Sequence, residues 1–535
     1  MRFVSLIYRI DGVDMKLLNT NNLLILLLIG FFILYSSVSL TSPIAFGDEG
    51  FYAAESRWIA ENSIYPIYEP MRGTEILHEK IVIPPLYSIT QSFMWLIVGE
   101  VGLKFLIPVF SILAAAMIYL FLKKFDKPKA GLVAAIAFLT TPSLVTYGIL
   151  NYTDTLLCLL FICSAYFSYI AFECKRMSYY VLAGIFIGLS FLTKGSGFLI
   201  IIILVLYFLL NVKFKEIKNW NILITILIMF GVMILPWVIR SLILYNSICY
   251  HPILLQGCDP VLDKEIPKLK GLEFAGRIQE TGTEASVWKI GLLNYYNFAF
   301  GWTVLILFIF GIASFLVKKS KMSILLASWL LIFIPIFLLS TTSELFGSTG
   351  RAEDTARYTL PLVIPIVMIA GIFVEDLFES LKKYSKAISM IFAILLLFSF
   401  LFYAQQKLDT MRNIKMFSSG FFEGCNWIKE NTPENSIFFS IYAHHTMYYC
   451  NRKSISFLPD NAEIQLTNND TAYEHLKLHG FDYVFIQEFT ISNIAYREAI
   501  STSFLNYLEM SNKSEKVYDN TNIYGNSGVR LYKLL

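Results

Sequence analysis

The sequence predicts a multi-pass α-helical membrane protein with about eleven transmembrane helices and a small extracytoplasmic α/β domain at its C-terminal end. Three observations predict it. Of 535 residues, 56% are hydrophobic and only 16% charged, a membrane protein's composition. Apolar runs of spanning length recur up to about residue 404, and short apolar strands mixed with polar helices follow. A net charge of +3, from 43 basic and 40 acidic residues, gives no global basic field, which argues against a nucleic-acid partner.

A helix that crosses a hydrocarbon core of about 30 Å needs roughly 20 apolar residues. Such runs occupy 22–40, 103–122, 129–149, 155–172, 179–193, 196–211, 221–240, 302–317, 323–340, 358–378 and 386–404. A single helix over 179–211 would measure about 50 Å, so the spacing predicts a hairpin turning at "TKGSG", around Lys194. The run "PPLYSITQSFMWLIVG", Pro84 to Gly99, is decided by charge. If it lies on the outer surface, "KKFDKPK", "ECKRM", "VKFKEIK", "KKSK" and the stretch Glu375 to Lys386 all become cytoplasmic, and none is net negative. The positive-inside rule favours that arrangement, with the N-terminus in and the C-terminus out. The first apolar run is long and lacks a small-x-small cleavage site, so it is expected to remain as the first helix.

The outward regions are then the loop from Thr41, the stretch from about Ser241 to Phe300 and the tail. A transmembrane domain over 1–404, with interfacial helices in an outer loop over 41–102, precedes an α/β domain over 405–535. In the tail, "SIFFSIYA" and "FDYVFIQEF" read as buried strands and "GFFEGCNWIKENTPENS" as a helix ended by a Pro turn. "SEKVYDNTNIYGNSGVRLYKLL" reads as a terminal hairpin completing the sheet. Cys158, Cys163 and Cys174 belong to a span, whereas Cys249, Cys258, Cys425 and Cys450 lie outside. Two outer pairs suit disulfides in an oxidising compartment, with three connectivities open.

Between Thr41 and Ile83 seven acids face three bases. Asp48 and Glu49 stand just past the first helix, followed by Tyr52 and by Phe51, Ala54, Trp58 and Ile59 at helical spacing, a segment expected along the membrane surface. Alone, the pair would be an ordinary helix-terminus carboxylate. Asp154, in "GILNYTDTLL", reaches the same outer face a hundred residues later, and convergent carboxylates are what acid-base chemistry needs. Lys80, Lys194, Arg240, Arg351 and Arg357 fall on that face too. Any one could be snorkelling, but five cations opposite to the side the positive-inside rule favours suit a lipid with an anionic head group.

In this order, "GDEGFYA", "PPLY", "YTD", "GLSFLTKG", "PWVIR" and "RYTLPLVIP" resemble motifs of the polyprenyl-phosphate-sugar-dependent glycosyltransferases of the GT-C fold, especially the protein O-mannosyltransferase and aminoarabinose lipid A transferase group. The resemblance covers roughly residues 40–380. It implies a multi-pass enzyme of the cell membrane that moves a sugar, with inversion, from a dolichyl or undecaprenyl phosphate to a lipid, glycan or protein acceptor on the outer face. Carried over residue by residue, it makes Asp48 the base, supported by Glu49 and Tyr52, and Asp154 the second acid. Lys194 resembles the lysine that meets the carrier phosphate or sugar, and Arg357 with Tyr358 matches an element lining the same cavity.

Two departures stand out. The family's Lys-Pro-Pro element is Ile83-Pro84-Pro85 here, with Lys80 three residues earlier in place of its lysine. No Asp-x-Asp follows the first helix, which argues against an obligatory divalent metal and leaves no cofactor required; neither Cys-x-x-Cys nor His-x-x-x-His spacing suggests a metal site. Transfer of another lipid-borne group is the rival enzymatic reading. A non-catalytic lipid transporter or binding protein is less suited, because its charged groups would sit near the bilayer midplane between inverted repeats.

Overall fold

The computed structural model describes residues 20–44, 48–66, 68–73, 78–80, 83–211, 217–245, 297, 299–317, 320–347, 357, 360–413, 419–440, 442–455, 469–487, 502–525 and 528–535. Cys249, Cys258, Arg351 and Tyr358 lie outside these residues. In lipid every backbone polar group must be satisfied internally, and each of the apolar runs except 129–149 is accordingly helical in its described part. In chain order the helices are α1 (Thr20–Thr41), α2 (Glu49–Asn62), α3 (Leu86–Val98), α4 (Glu100–Lys124), α5 (Pro128–Thr140), α6 (Pro142–Tyr147), α7 (Asp154–Cys174) and α8 (Met177–Thr193). They continue with α9 (Leu199–Asn211), α10 (Ile217–Tyr245), α11 (Trp302–Val317), α12 (Lys321–Gly347), α13 (Leu360–Tyr384) and α14 (Lys386–Asn413). Among the described residues, six helices are long and apolar enough to cross a membrane: α1, α4, α7, α13 and most of α10 and α14.

Two local departures shape the site. The run expected as one helix over 129–149 breaks in two, because Pro142 lacks an N–H and pushes the residue before it out of helical geometry; Thr141 is extended at ψ 128°. The segment Gly148–Thr153 after α6 is therefore irregular, yet it is buried and needs hydrogen-bond partners from elsewhere. The run after Pro84 forms α3, which at 13 residues is about 20 Å long and too short to span.

At one end of the bundle Lys127 reaches Glu375 at 3.2 Å and Asp376 at 3.1 Å, and Lys129 pairs with Glu379, tying α5 to α13. At the other end lies α2, and the hairpin β1 (Tyr68–Gly73) and β2 (His78–Lys80) packs against it. Lys80 closes β2.

The last bundle helix continues to Asn413, and the C-terminal domain begins with α15 (Ser419–Asn431). Its sheet contains β3 (Ile437–Phe439), β4 (Lys453–Ile455), β5 (Tyr483–Gln487), β6 (Ser514–Asp519) and β7 (Val529–Leu534), in the order β4-β3-β5-β7-β6. β3 pairs in parallel with β4 and β5, and β7 is antiparallel to β5 and β6. The terminal hairpin thus completes the sheet as the sequence predicts.

Successive strand residues face opposite sides. Ile437, Phe439, Val484 and Ile486 pack with Leu476 of α16 (Asn469–Leu478) and Phe504 of α17 (Thr502–Met510); Phe438, Phe485 and Leu531 pack with Phe421 and Ile428 of α15. Burial on both faces explains why "IFF" and "YVFI" read as unbroken apolar runs. A disulfide joins Cys425 on α15 to Cys450, one of the pairings open in the sequence.

Candidate active site

Helix α2 lies between the bundle and the C-terminal domain. Its bundle face carries Glu49, Tyr52, Glu55 and Ser56. The buried Glu49 carboxylate accepts a hydrogen bond from the backbone N–H of Asn151, which supplies the irregular segment with one of the partners it needs. The Asn151 side chain donates to the Glu49 carbonyl at 3.3 Å and accepts from Tyr87 Oη at 2.9 Å, and Gln91 joins this network to Ser56 Oγ at 3.1 Å. Tyr52 packs edge-on against Tyr87, centroids 5.1 Å apart. Burial first, then the charges of Asp48 and Asp154, push its hydroxyl well above the usual range, so Tyr52 stays protonated.

Asp48 precedes the first turn of α2. Its Oδ2 lies 2.8 Å from Nη1 of Arg357, and its side chain is 43% exposed against 16% for Arg357. Partial desolvation opposes ionisation, but the charge and hydrogen bond of Arg357, with lesser help from His444 and Lys194, outweigh it and hold the carboxyl below its usual range. Asp48 is therefore a carboxylate at neutral pH. The Arg357 guanidinium also stands over the Tyr152 ring at 5.0 Å, a cation–π contact that aims it from the far side.

Asp154 opens α7 and is buried, with 1% of its side chain exposed. Its Oδ1 is 2.6 Å from Nζ of Lys194, while Oδ2 has no hydrogen-bond partner among the described residues. Lys194 stands where the predicted hairpin turns. α8 stops at Thr193, Lys194 is extended at φ −157°, and a 3₁₀ turn, Gly195–Phe198, leads into α9. The turn is this tight because Gly197 has no side chain: a Cβ there would fall 2.2 Å from the Ser190 carbonyl oxygen.

Asp48, Glu49, Tyr52, Asp154, Lys194 and Arg357 thus gather at one end of the bundle. Arg240 does not join them. It stacks on Tyr65 at 5.0 Å and Trp237 at 4.8 Å and donates to the Pro66 carbonyl, beside Glu55.

Glu55, Asn151, Tyr87 and Gln91 are site residues that reasoning from the sequence missed. Glu55 had a signal, since it lies seven residues, two helical turns, beyond Asp48. Ser88 and Tyr65 both hydrogen-bond its carboxylate. Burial pushes the Glu55 carboxyl up to about 7, against those two hydrogen bonds and the charge of Arg240. With the folded value above the ordinary 4.5, the stability it contributes is complete below pH 4.5 and lost as pH rises through 7. Glu55→Gln should therefore gain stability relative to wild type by about 3 kcal/mol between pH 4.5 and pH 8, measured by thermal unfolding in detergent. A difference between the two proteins that is flat across that range would rule this out. His445, which burial pushes down to about 3, works in the opposite sense but equally in both proteins, so it cancels.

Among the described residues no three His, Cys, Asp or Glu side chains stand together as metal ligands.

Residues 83–239 match the family model of dolichyl-phosphate-mannose-protein mannosyltransferases. No curated protein matches the chain in sequence. Among solved structures, the oligosaccharyltransferase of Archaeoglobus fulgidus superposes with a TM-score of 0.64 at 14% identity, over 88% of this chain and 71% of that one. It has also been solved with an inhibitory peptide and a dolichol-phosphate. ArnT from Cupriavidus metallidurans, bound to undecaprenyl phosphate, gives 0.63 at 13% identity over 95% of this chain and 97% of that one. The mycobacterial arabinofuranosyltransferase AftD gives 0.58 at 13% identity over 95% of this chain and 40% of that one. The fold of this integral membrane protein is therefore the GT-C fold with a small C-terminal sheet domain.

Proposed function

We propose, from a GT-C fold with paired acids and bases at one end of its bundle, that this protein is a glycosyltransferase. It takes a sugar from a polyprenyl phosphate and passes it to a hydroxyl-bearing acceptor on the extracytoplasmic face. The observation that carries the reading is the convergence of Asp48–Arg357 and Asp154–Lys194, from four separate parts of the chain. The match to the mannosyltransferase family model and the carrier phosphates held by two structural relatives support the choice of donor. The end of the bundle with Lys127 and Lys129 is the cytoplasmic one on this reading, as the positive-inside rule requires.

In the reaction, the acceptor oxygen attacks the anomeric carbon on the face opposite the phosphate. The bond from that carbon to the phosphate oxygen breaks, the acceptor proton passes to Asp48, and the polyprenyl phosphate leaves with the anomeric configuration inverted. Lys194 and Arg357 meet the charge that develops on the leaving phosphate, where fixed cations in a partly dry site are most effective. At rest these cations are held by Asp154 and Asp48. A donor phosphate competes for them, and as it draws Arg357 away Asp48 becomes the stronger base.

Purified protein supplied with radiolabelled polyprenyl-phosphate mannose, then with glucose and aminoarabinose donors, and with lipid and protein acceptors should transfer label. Because the cations rather than a metal neutralise the phosphate, transfer should be unchanged in excess EDTA. Label that stays on the carrier with every donor would favour a lipid-binding or transport role, and loss of activity in EDTA restored by a divalent ion would refute the metal-free mechanism.

A further inference from the structure

The face of α2 opposite the bundle is covered by the C-terminal domain. Ala53 and Ala54 pack with Met447 and Tyr448, Arg57 donates to the Tyr448 carbonyl at 3.2 Å, and Tyr449 Oη accepts from the Ile44 N–H at 2.7 Å. At the Asp48 end of this contact runs the turn Ala443–His445. Gly50 lets it approach, since a Cβ there would lie 2.9 Å from the His444 carbonyl carbon. The His444 ring packs on Phe51, centroids 5.6 Å apart, and lies within electrostatic reach of Asp48. The disulfide from Cys450 to α15 ties the stretch that follows this turn to the body of the domain.

Asp48 therefore has Arg357 and Lys194 on the bundle side and an imidazole on the side of the C-terminal domain. In the inverting displacement the leaving phosphate belongs with the bundle cations, so the acceptor hydroxyl must reach Asp48 from the other side. We infer that the C-terminal domain completes the active site by supplying His444 as a positioning residue, which holds the Asp48 carboxylate and the arriving acceptor hydroxyl in line. His445 beside it is 3% exposed and turns its ring to Tyr442, centroids 6.1 Å apart, whereas His444 packs on Phe51 of α2, so the positioning role is given to His444.

The inference rests on the glycosyl-transfer reading, and its test separates the two. Wild type, Asp48→Asn, His444→Ala, His444→Gln and Gly50→Ala are compared in the transfer assay and in the binding of unlabelled undecaprenyl phosphate. His444→Ala should lower kcat by about 10- to 100-fold, the scale of a small misplacement of reacting groups, with binding of undecaprenyl phosphate unchanged. His444→Gln, similar in size and able to hydrogen-bond, should recover part of the loss. Gly50→Ala leaves the imidazole intact and suits a helix better than glycine, yet its methyl displaces the turn, so kcat should fall again without loss of phosphate binding. Wild-type kcat in His444→Ala or Gly50→Ala overturns the inference alone, as does a parallel loss of phosphate binding in both, which would mark a purely structural role. Absence of transfer by wild type overturns both the inference and the reading beneath it.

Discussion

Asp48→Asn should abolish sugar transfer while leaving the carrier bound. The substitution keeps the size of the side chain but removes the carboxylate proposed as the base, which pairs with Arg357 and lies within electrostatic reach of His444. General-base catalysis of this kind contributes about 10²- to 10⁴-fold, and kcat should fall by that factor. The donor should bind as well as before or better, because Arg357 loses the carboxylate that holds it at 2.8 Å and is released to the phosphate. A lower kcat with an unchanged or lower KM for the donor is the signature of removing a group that acts only in the transition state. Turnover by Asp48→Asn equal to wild type would sink the assignment of the base, and a large rise in donor KM would make Asp48 a binding residue instead.

The second large effect concerns stability and activity together. Asp154 is buried and, among the described residues, Lys194 is the cation that pairs with it and one of its carboxylate oxygens lacks a hydrogen-bond partner. Removing one member of such a pair costs on the order of 3–5 kcal/mol, because it leaves an uncompensated buried charge. Lys194→Met should therefore unfold in detergent at a clearly lower temperature, and transfer should fall by about 10²- to 10³-fold through loss of a group that stabilises the leaving phosphate. Asp154→Asn combined with Lys194→Met removes both charges. The double variant should recover most of the stability and none of the activity. Should it recover activity with stability, Lys194 would be a structural counter-ion and the phosphate would have to be met elsewhere.

Much of the architecture was legible in the sequence because the bilayer imposes length and polarity on every span. The hairpin at Lys194 followed from the length of the apolar run, and the tight turn at Gly197 agrees. The break at Pro142 was written in the chain as well, though hydropathy averaged over 129–149 hid it. The strands β3 and β5 were visible because burial on both faces makes them continuous apolar runs. The C-terminal hairpin was visible through its turn residues.

Pairing was not legible. Arg240, Arg357 and Lys194 all carry a positive charge at or near a helix end, and no local rule gives their partners. Packing sends Arg240 to Tyr65 and Trp237, while Arg357 crosses 309 positions of sequence to Asp48. His444 carries no periodic or motif signal at all, because its place depends on a domain contact that a glycine in α2 permits. By itself the sequence determined which residues are apolar enough for lipid, where the helices turn and which carboxylates and cations reach one face, since these depend on neighbours along the chain. Only the tertiary structure decided which charges meet, because ion pairs form at a few ångströms between segments whose approach is set by the packing of whole helices and of one domain against another.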